Sequence, residues 1–244
     1  MRSFFCALAF LTRIPVPGGL DYGADAFRKS LFFFPLVGAV LGALFAGSWF
    51  FLGKFFPPVI IAALLLMISV LLTGGLHLDG LMDTVDGVYG GRTREEKLAI
   101  MKDVHAGSFG VIGVVLVLLL KFSVYTQISR GFLPYLIAAP VLGRQALVWL
   151  QVLFPYARKN GLGKLFDANG SVSLFAATTG MTLVILFLLL RLSGLILFLI
   201  TGVFILLLGG CLTRLLGGLT GDTYGASCEL TEIIVLLAAF LLSC

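Results

Sequence analysis

Seven apolar windows restrict this chain to one kind of fold. They lie at about 31–53, 57–75, 108–128, 132–153, 172–190, 194–215 and 230–243, and the last is short for a full membrane span. A helix needs about 20 predominantly apolar residues to cross a bilayer. The chain of 244 residues is 59% hydrophobic and only 12% charged, whereas soluble domains carry about 25% charged residues. We therefore expect an all-α fold: a polytopic integral membrane helical bundle with about seven transmembrane segments, in a single membrane-embedded domain over residues 1–244. The short apolar segment Phe4–Leu11 is expected to lie at the membrane interface.

The distribution of positive charge predicts the orientation of the bundle. Of the 17 Lys and Arg residues, 12 lie on the N-terminal side of the membrane, three lie on the other side, and Lys121 and Arg144 fall inside apolar windows. By the positive-inside rule, the N-terminus and the large polar segments face the cytoplasm, which predicts a multi-pass protein of the cell inner (cytoplasmic) membrane. The net charge of +5 is divided among loops, so no nucleic-acid partner is expected. A homo-oligomer remains open.

Three aspartates, Asp79, Asp83 and Asp86, follow directly behind the second apolar window. At about 100° per residue, their carboxylates would share one helix face. Because like charges at this spacing repel each other, we expect a cation to neutralise them, and oxygen ligands suit Mg²⁺ or a similar hard ion shared with substrate phosphates. His77 and His105 are the only histidines and flank this motif. Each is a candidate for a general base or for a hydrogen-bonding partner.

A second acidic motif occupies the glycine-rich segment 217–232. Asp222 and Glu229 are seven residues apart, and they lie nearly on one face if the segment is helical. Its glycines permit close approach of a ligand or of another helix. The predicted topology places Asp222 at the same membrane depth and face as the first motif, where it can supply a fourth metal ligand.

Several cations accompany these motifs. Arg92 and Lys102 follow the aspartates and are suited to neutralise charge on a leaving phosphate. Arg144 lies inside the fourth window, where it either binds an anionic substrate or snorkels to the interface. Lys121 lies nearer the outer end of its window, and we expect it to snorkel. The basic segment 155–164 either binds phosphate or anionic lipid, or only marks the cytoplasmic side.

Together these motifs resemble the cobalamin synthase family, also called adenosylcobinamide-GDP ribazoletransferases. The resemblance covers nearly the whole chain and rests on Phe10–Pro17, Gly74–Gly87, Leu98–Asp103, Gly107–Val111, Pro155–Arg158 and Gly217–Glu232. It implies a Mg²⁺-dependent membrane enzyme that transfers the adenosylcobinamide-phosphate group from adenosylcobinamide-GDP to the hydroxyl of α-ribazole or α-ribazole 5′-phosphate. The products would be GMP and adenosylcobalamin or its 5′-phosphate. Val104 and His105 depart from the family pattern, which weakens His105 as a candidate base.

The residue patterns and the resemblance together assign expected roles. The expected Mg²⁺ ligands are Asp79, Asp83, Asp86 and Asp222, and the expected catalytic residues are Asp83, Asp86 and His77. The expected substrate-binding residues are Arg92, Lys102, Asp103, Arg144, Thr220 and Glu229.

Two alternatives stay open at this point. A CDP-alcohol phosphotransferase performs the same type of reaction, but its Asp-x-x-Asp-Gly-x-x-Ala-Arg signature is not matched around Asp79-Gly80. A cation or metabolite transporter would carry its ligands near the membrane midplane, whereas these aspartates are expected at the cytoplasmic ends of spans.

Overall fold

A computed structural model describes residues 2–17, 23–158, 166 and 168–242 of the chain. Within these ranges the regular structure is helical. The α-helices are α1 (Arg2–Leu11), α2 (Ala24–Ser30), α3 (Phe34–Leu52), α4 (Pro58–Thr73), α5 (Leu76–Gly90), α6 (Arg94–Ile100), α7 (Ser108–Tyr125), α8 (Leu133–Leu153), α9 (Val172–Leu190), α10 (Leu192–Leu216) and α11 (Gly221–Leu242). Short 3₁₀ turns at Leu31–Phe33 and Arg130–Phe132 lead into α3 and α8.

Six helical segments of the described chain are long and apolar enough to cross a membrane: Ala26–Leu52, Ser108–Tyr125, Arg130–Leu153, Val172–Leu190, Leu192–Leu216 and Gly221–Leu242. Helices α4 and α5 pass the same test only as a pair, and they are bent by 90° relative to each other. The pair would make a seventh span. The expected polytopic helical fold is thereby confirmed.

The last span is longer than the sequence pattern predicts. Helix α11 begins at Gly221, nine residues before the predicted window, and spans 22 residues. Of the two glycines at the start of α11, Gly225 packs against α5, so its low helix propensity is offset by tertiary contact, and Gly221 lies in the first turn. Residues 221–229, which precede the predicted window, therefore belong to the last helix.

Helix α8 forms the centre of the bundle. Its most apolar stretch is 89% buried, compared with 17% for α9 at the periphery. Helix α3 packs on α8 through Gly38 and Gly42, and a Cβ atom on Gly42 would lie 2.6 Å from the Cα atom of Ile137. This small-xxx-small spacing lets two backbones approach closely, as is common between membrane helices.

The bend between α4 and α5 positions the first acidic motif. Gly74 and Gly75 both adopt left-handed backbone conformations, with φ of 66° and 71°, which side-chain-bearing residues rarely adopt. The 90° turn sends α5 across α7 and α11. The polar segment between the second and third apolar windows thus forms mainly the helices α5 and α6, and the aspartates lie where α5 meets two other helices.

Candidate active site

The first and second acidic motifs meet where α5 crosses α11. The crossing is made by two glycines, Gly80 on α5 and Gly225 on α11. A Cβ atom on Gly80 would lie 2.7 Å from the carbonyl oxygen of Asp222, and one on Gly225 would lie 3.2 Å from the Cα atom of His77. The absence of both side chains lets the backbones touch, and this contact brings Asp79 and Asp222 to the same place.

A short backbone bridge brings a third segment to this crossing. The Leu219 N–H donates to the Pro155 carbonyl at 2.8 Å, and the Ala157 N–H donates to the Leu219 carbonyl at 2.7 Å. Gly218 makes the approach possible, because a Cβ atom there would lie 2.8 Å from the Ala157 nitrogen and its φ is 151°. The bridge fastens the segment after α8 beside the N-terminus of α11.

Arg158 extends from this bridge to Asp222. Its Nη2 atom lies 2.9 Å from Asp222 Oδ2, and the two side chains are 15% and 22% exposed. Asp222 also accepts a hydrogen bond from the Thr220 hydroxyl at 3.3 Å. A guanidinium held by a carboxylate in this way is oriented to bind a phosphoryl oxygen with its remaining N–H groups.

These residues surround the mouth of a cavity of about 280 Å³. Asp79, Asp222 and Arg158 contribute charge to its lining. The rest of the lining is mostly apolar or aromatic and consists of Phe10, Phe34, Leu76, His77, Gly80, Leu147, Gln151, Tyr156, Phe166, Gly221, Tyr224 and Gly225. An apolar pocket with a few convergent polar groups is the usual form of a small-molecule site.

The carboxylates at the mouth suit a divalent cation whose coordination shell is completed by a substrate phosphate. Within the described residues, no three Asp, Glu, His or Cys side chains converge as a preformed metal site. Asp83 is nevertheless close enough to Asp79 and Asp222 for their negative charges to repel its carboxylate, and Arg158 is close enough to attract it. Because Mg²⁺ keeps several waters and takes only one or two carboxylates together with substrate phosphates, two of these three carboxylates suffice to hold one ion. Coordination by Asp79, Asp83 and Asp222 remains a prediction.

The sequence matches one protein family over nearly its whole length. The model of the cobalamin-5-phosphate synthase family matches residues 3–240. The chain belongs to this family. It is 42% identical to the adenosylcobinamide-GDP ribazoletransferase of Desulfitobacterium hafniense (strain Y51), over 98% of this chain and 97% of that protein. It is 43% identical to that of Klebsiella pneumoniae (strain 342), over 98% and 99% of the two chains. No solved structure matches the chain.

Asp86, a predicted metal ligand and catalytic residue, holds the beginning of α7. Its two carboxylate oxygens accept hydrogen bonds from the Gly107 N–H at 2.8 Å and the Gly110 N–H at 2.7 Å. The side chain is 7% exposed. A carboxylate at a helix N-terminus satisfies amides that lack partners within the helix and interacts favourably with the helix dipole. Asp86 therefore has a structural role that differs from the predicted one.

Arg144 and Glu229, predicted to bind substrate, lie instead in a buried network of charges between α7, α8 and α11. Lys121 Nζ lies 2.6 Å from Glu229 Oε2 and 2.7 Å from Glu232 Oε2, and Arg144 pairs with Glu232. None of these side chains lines the large cavity. The expectation that Lys121 snorkels is wrong, because the residue is 3% exposed and two carboxylates balance its charge inside the bundle.

The residues expected to bind phosphate after α5 are also absent from the cavity. Arg92, Lys102 and Asp103 are exposed, and the cavity lining includes none of them. Asp103 accepts a hydrogen bond at 2.7 Å from the ring of His105, and this bond holds the pKa of Asp103 below its usual range. Their predicted role in substrate binding has no support in the geometry of the described residues.

Two other predicted residues lie at the crossing but differ in access. His77 is 3% exposed and lines the cavity. Thr220 is fully buried and caps α11: its hydroxyl accepts from the Thr223 N–H at 3.2 Å, and its N–H donates to the Thr223 hydroxyl at 2.8 Å. Thr220 therefore acts on the site through Asp222.

Arg158 is the main site residue absent from the sequence-based assignment. It belongs to the basic segment 155–164, of which 159–164 lie outside the described residues. The run Pro155–Arg158 did contribute to the family resemblance, and that was the available signal. Its pairing with Asp222 joins residues 64 positions apart, so local spacing could not reveal it.

Proposed function

We propose that this protein is an adenosylcobinamide-GDP ribazoletransferase. It transfers the adenosylcobinamide-phosphate group from adenosylcobinamide-GDP to the hydroxyl of α-ribazole or its 5′-phosphate and releases GMP. The family match over residues 3–240 carries this proposal, and it favours this activity over a CDP-alcohol phosphotransferase or a transporter. The charged mouth of the cavity provides the chemical groups that the reaction needs.

The reaction is a displacement at phosphorus. The oxygen of the ribazole hydroxyl forms a bond to the phosphorus on the cobinamide side of the diphosphate, the bond from that phosphorus to the GMP oxygen breaks, and the hydroxyl proton passes to a base. GMP leaves with the bonding electron pair. Positioning and stabilisation of negative charge supply most of the catalysis in phosphoryl transfer.

Arg158 is the group best placed to stabilise that charge. Its guanidinium stays charged at all working pH values, it lies at the mouth of the cavity, and Asp222 fixes one edge of it at 2.9 Å. Fixed donors aimed at a developing charge need no reorganisation during the reaction. Bound Mg²⁺, held by Asp79, Asp83 and Asp222, would neutralise the diphosphate and stabilise the leaving GMP.

We further propose that the aspartate end of the bundle faces the cytoplasm, with the N-terminus on the same side, in the cell inner membrane. The predicted topology puts 12 Lys and Arg residues on this side of the membrane and three on the other, and this asymmetry supports the orientation. Lys102 and Lys54 are both exposed, and the proposed topology places them on opposite sides of the membrane. In a cysteine-free background, an impermeant maleimide should label Lys54→Cys in intact cells and Lys102→Cys only in inverted vesicles. The reverse pattern would overturn the orientation.

A direct assay tests the activity. Purified protein in detergent is incubated with Mg²⁺, adenosylcobinamide-GDP and α-ribazole, and GMP and adenosylcobalamin are quantified. We expect the two products in equal amounts and only when both substrates are present. Asp222→Asn should abolish most of the product, while Glu95→Gln should retain it, because the Glu95 side chain is 78% exposed on α6. No GMP from the well-folded native protein would overturn the proposal.

A further inference from the structure

Three buried polar atoms without a hydrogen-bond partner lie on residues that line the same cavity. Within the described residues these atoms are Nδ1 of His77, Oε1 of Gln151 and Nε of Arg158. His77 and Gln151 are only 3% and 7% exposed. Because buried polar atoms in folded proteins nearly always have partners, three unpaired ones around one cavity indicate a ligand that supplies the missing hydrogen bonds.

Much of the remaining lining is aromatic. Phe10 and Phe166 have ring centroids 4.7 Å apart, and Phe34 and Phe166 have centroids 5.7 Å apart. The rings of Tyr156 and Tyr224 stack with centroids 6.4 Å apart at an interplanar angle of 28°. A lining of this kind suits a flat, largely apolar ring system.

The size of the cavity restricts which part of the substrates can enter. A volume of about 280 Å³ lies at the small end of ligand pockets, which hold roughly 300–1,000 Å³. It has room for a nucleoside and none for a corrin macrocycle. The bulk of the cobinamide part of the donor must therefore lie outside the cavity.

We infer that this cavity binds the acceptor, α-ribazole, with its benzimidazole ring among the phenylalanines and with His77 and Gln151 hydrogen-bonded to its polar atoms. The inference rests on the proposed function and adds the position of one substrate. Guanine is the competing occupant. Its edges carry several hydrogen-bond donors and acceptors, and these would have no partners beside Phe10, Phe34 and Phe166. A benzimidazole riboside has one free ring nitrogen, which accepts a hydrogen bond, and an apolar edge that matches this lining, while its ribose hydroxyls can donate to Gln151 Oε1. The reacting hydroxyl then lies at the mouth, where Arg158 can contact the phosphoryl group.

Steady-state kinetics with Gln151→Leu test the position of the acceptor. We expect KM for α-ribazole to rise about tenfold, the usual effect of one lost hydrogen bond, while KM for adenosylcobinamide-GDP stays within twofold. Gln145→Leu is the matched control on the same helix. Gln145 bonds Thr178 and Thr182 away from the cavity, so its loss should lower thermal stability without changing either KM. Gln151→Asn provides a milder variant if the leucine variant does not fold.

A binding measurement on the native protein separates this inference from the proposed activity. Radiolabelled α-ribazole is bound to the purified protein without donor, and unlabelled benzimidazole riboside or guanosine is added as competitor. Displacement by the benzimidazole riboside but not by guanosine supports the inference even if turnover fails. Displacement by guanosine alone would overturn the inference and leave the activity intact. The same holds if both Gln151 variants raised KM for adenosylcobinamide-GDP and left KM for α-ribazole unchanged. No saturable binding of α-ribazole would overturn it as well.

Discussion

Substitution of Gly80 by alanine should separate the two halves of the site. The new Cβ atom would lie 2.7 Å from the Asp222 carbonyl oxygen and 3.1 Å from its Cα atom. Both are backbone atoms of α11, so no side chain can rotate away to make room. To restore ordinary contact at 3.4 Å or more, α5 and α11 must move apart by about 0.7 Å.

A displacement of this size should cost little stability but should reduce the reaction rate strongly. Overpacking in a well-packed interior costs about 1–3 kcal/mol, which a folded bundle can tolerate. A misplacement of about 1 Å among reacting groups can reduce the rate about 100-fold. We therefore expect Gly80→Ala to reduce the rate of GMP release by about 10- to 100-fold while the protein still unfolds cooperatively. Gly225→Ala should have a smaller effect, since its Cβ atom would meet His77 at 3.2 Å.

The assay compares initial rates of GMP release with the thermal unfolding midpoint of each detergent-solubilised variant. Gly180→Ala is the matched control, because a Cβ atom there would meet nothing within 4 Å. It should keep the native rate. If Gly80→Ala were as active as Gly180→Ala, the close contact between α5 and α11 would not determine the geometry of the site.

Four further variants test individual contacts. Arg158→Lys keeps the charge but loses the planar fork that binds Asp222 and phosphate, so GMP release should fall at least tenfold; an unchanged rate would exclude Arg158 from the site. Asp83→Asn should raise the Mg²⁺ concentration needed for half-maximal GMP release, and full release at limiting Mg²⁺ would contradict the metal assignment. Asp86→Asn should lower the free energy of unfolding by about 1–3 kcal/mol, because the Gly107 and Gly110 amides lose a charged acceptor. The Mg²⁺ concentration for half-maximal GMP release should stay native. If it rose as much as in Asp83→Asn, Asp86 would be a metal ligand as the sequence predicts. Lys121→Met should lower the free energy of unfolding by about 3–5 kcal/mol, because it leaves Glu229 buried without its cation. Adding Glu229→Gln should recover part of that loss. If Lys121→Met were as stable as the native protein, the buried network would not stabilise the fold.

The elements of the fold could be predicted from sequence because the signals are local. Apolar length identifies α7 to α10, and the period of the aspartates predicts the helix that became α5. The predicted window begins after the true start of α11, because Gly221 and Gly225 disfavour a helix locally and the contact of Gly225 with α5 cannot be seen in the sequence. Helix propensity is a weak guide where tertiary packing decides.

The division of labour among the charged residues could not be predicted for a related reason. Asp79 and Asp86 have the same chemistry and nearly the same helix face, yet one lines a cavity and the other caps α7. The difference arises from which helix packs on each end of α5. In the same way, Arg144 is as plausible a phosphate ligand as Arg158 until Glu232 is placed beside it.

The buried charges also constrain how the chain is made. Lys121 enters the membrane with α7, but its partners Glu229 and Glu232 follow 108 and 111 residues later in synthesis. Until α11 inserts, the ammonium group lacks both carboxylates that balance it, and Asp222 is not yet present to meet Arg158. The last helix therefore neutralises the interior of the bundle and completes the site in the same step, so that a partly synthesised chain is inactive as well as unstable.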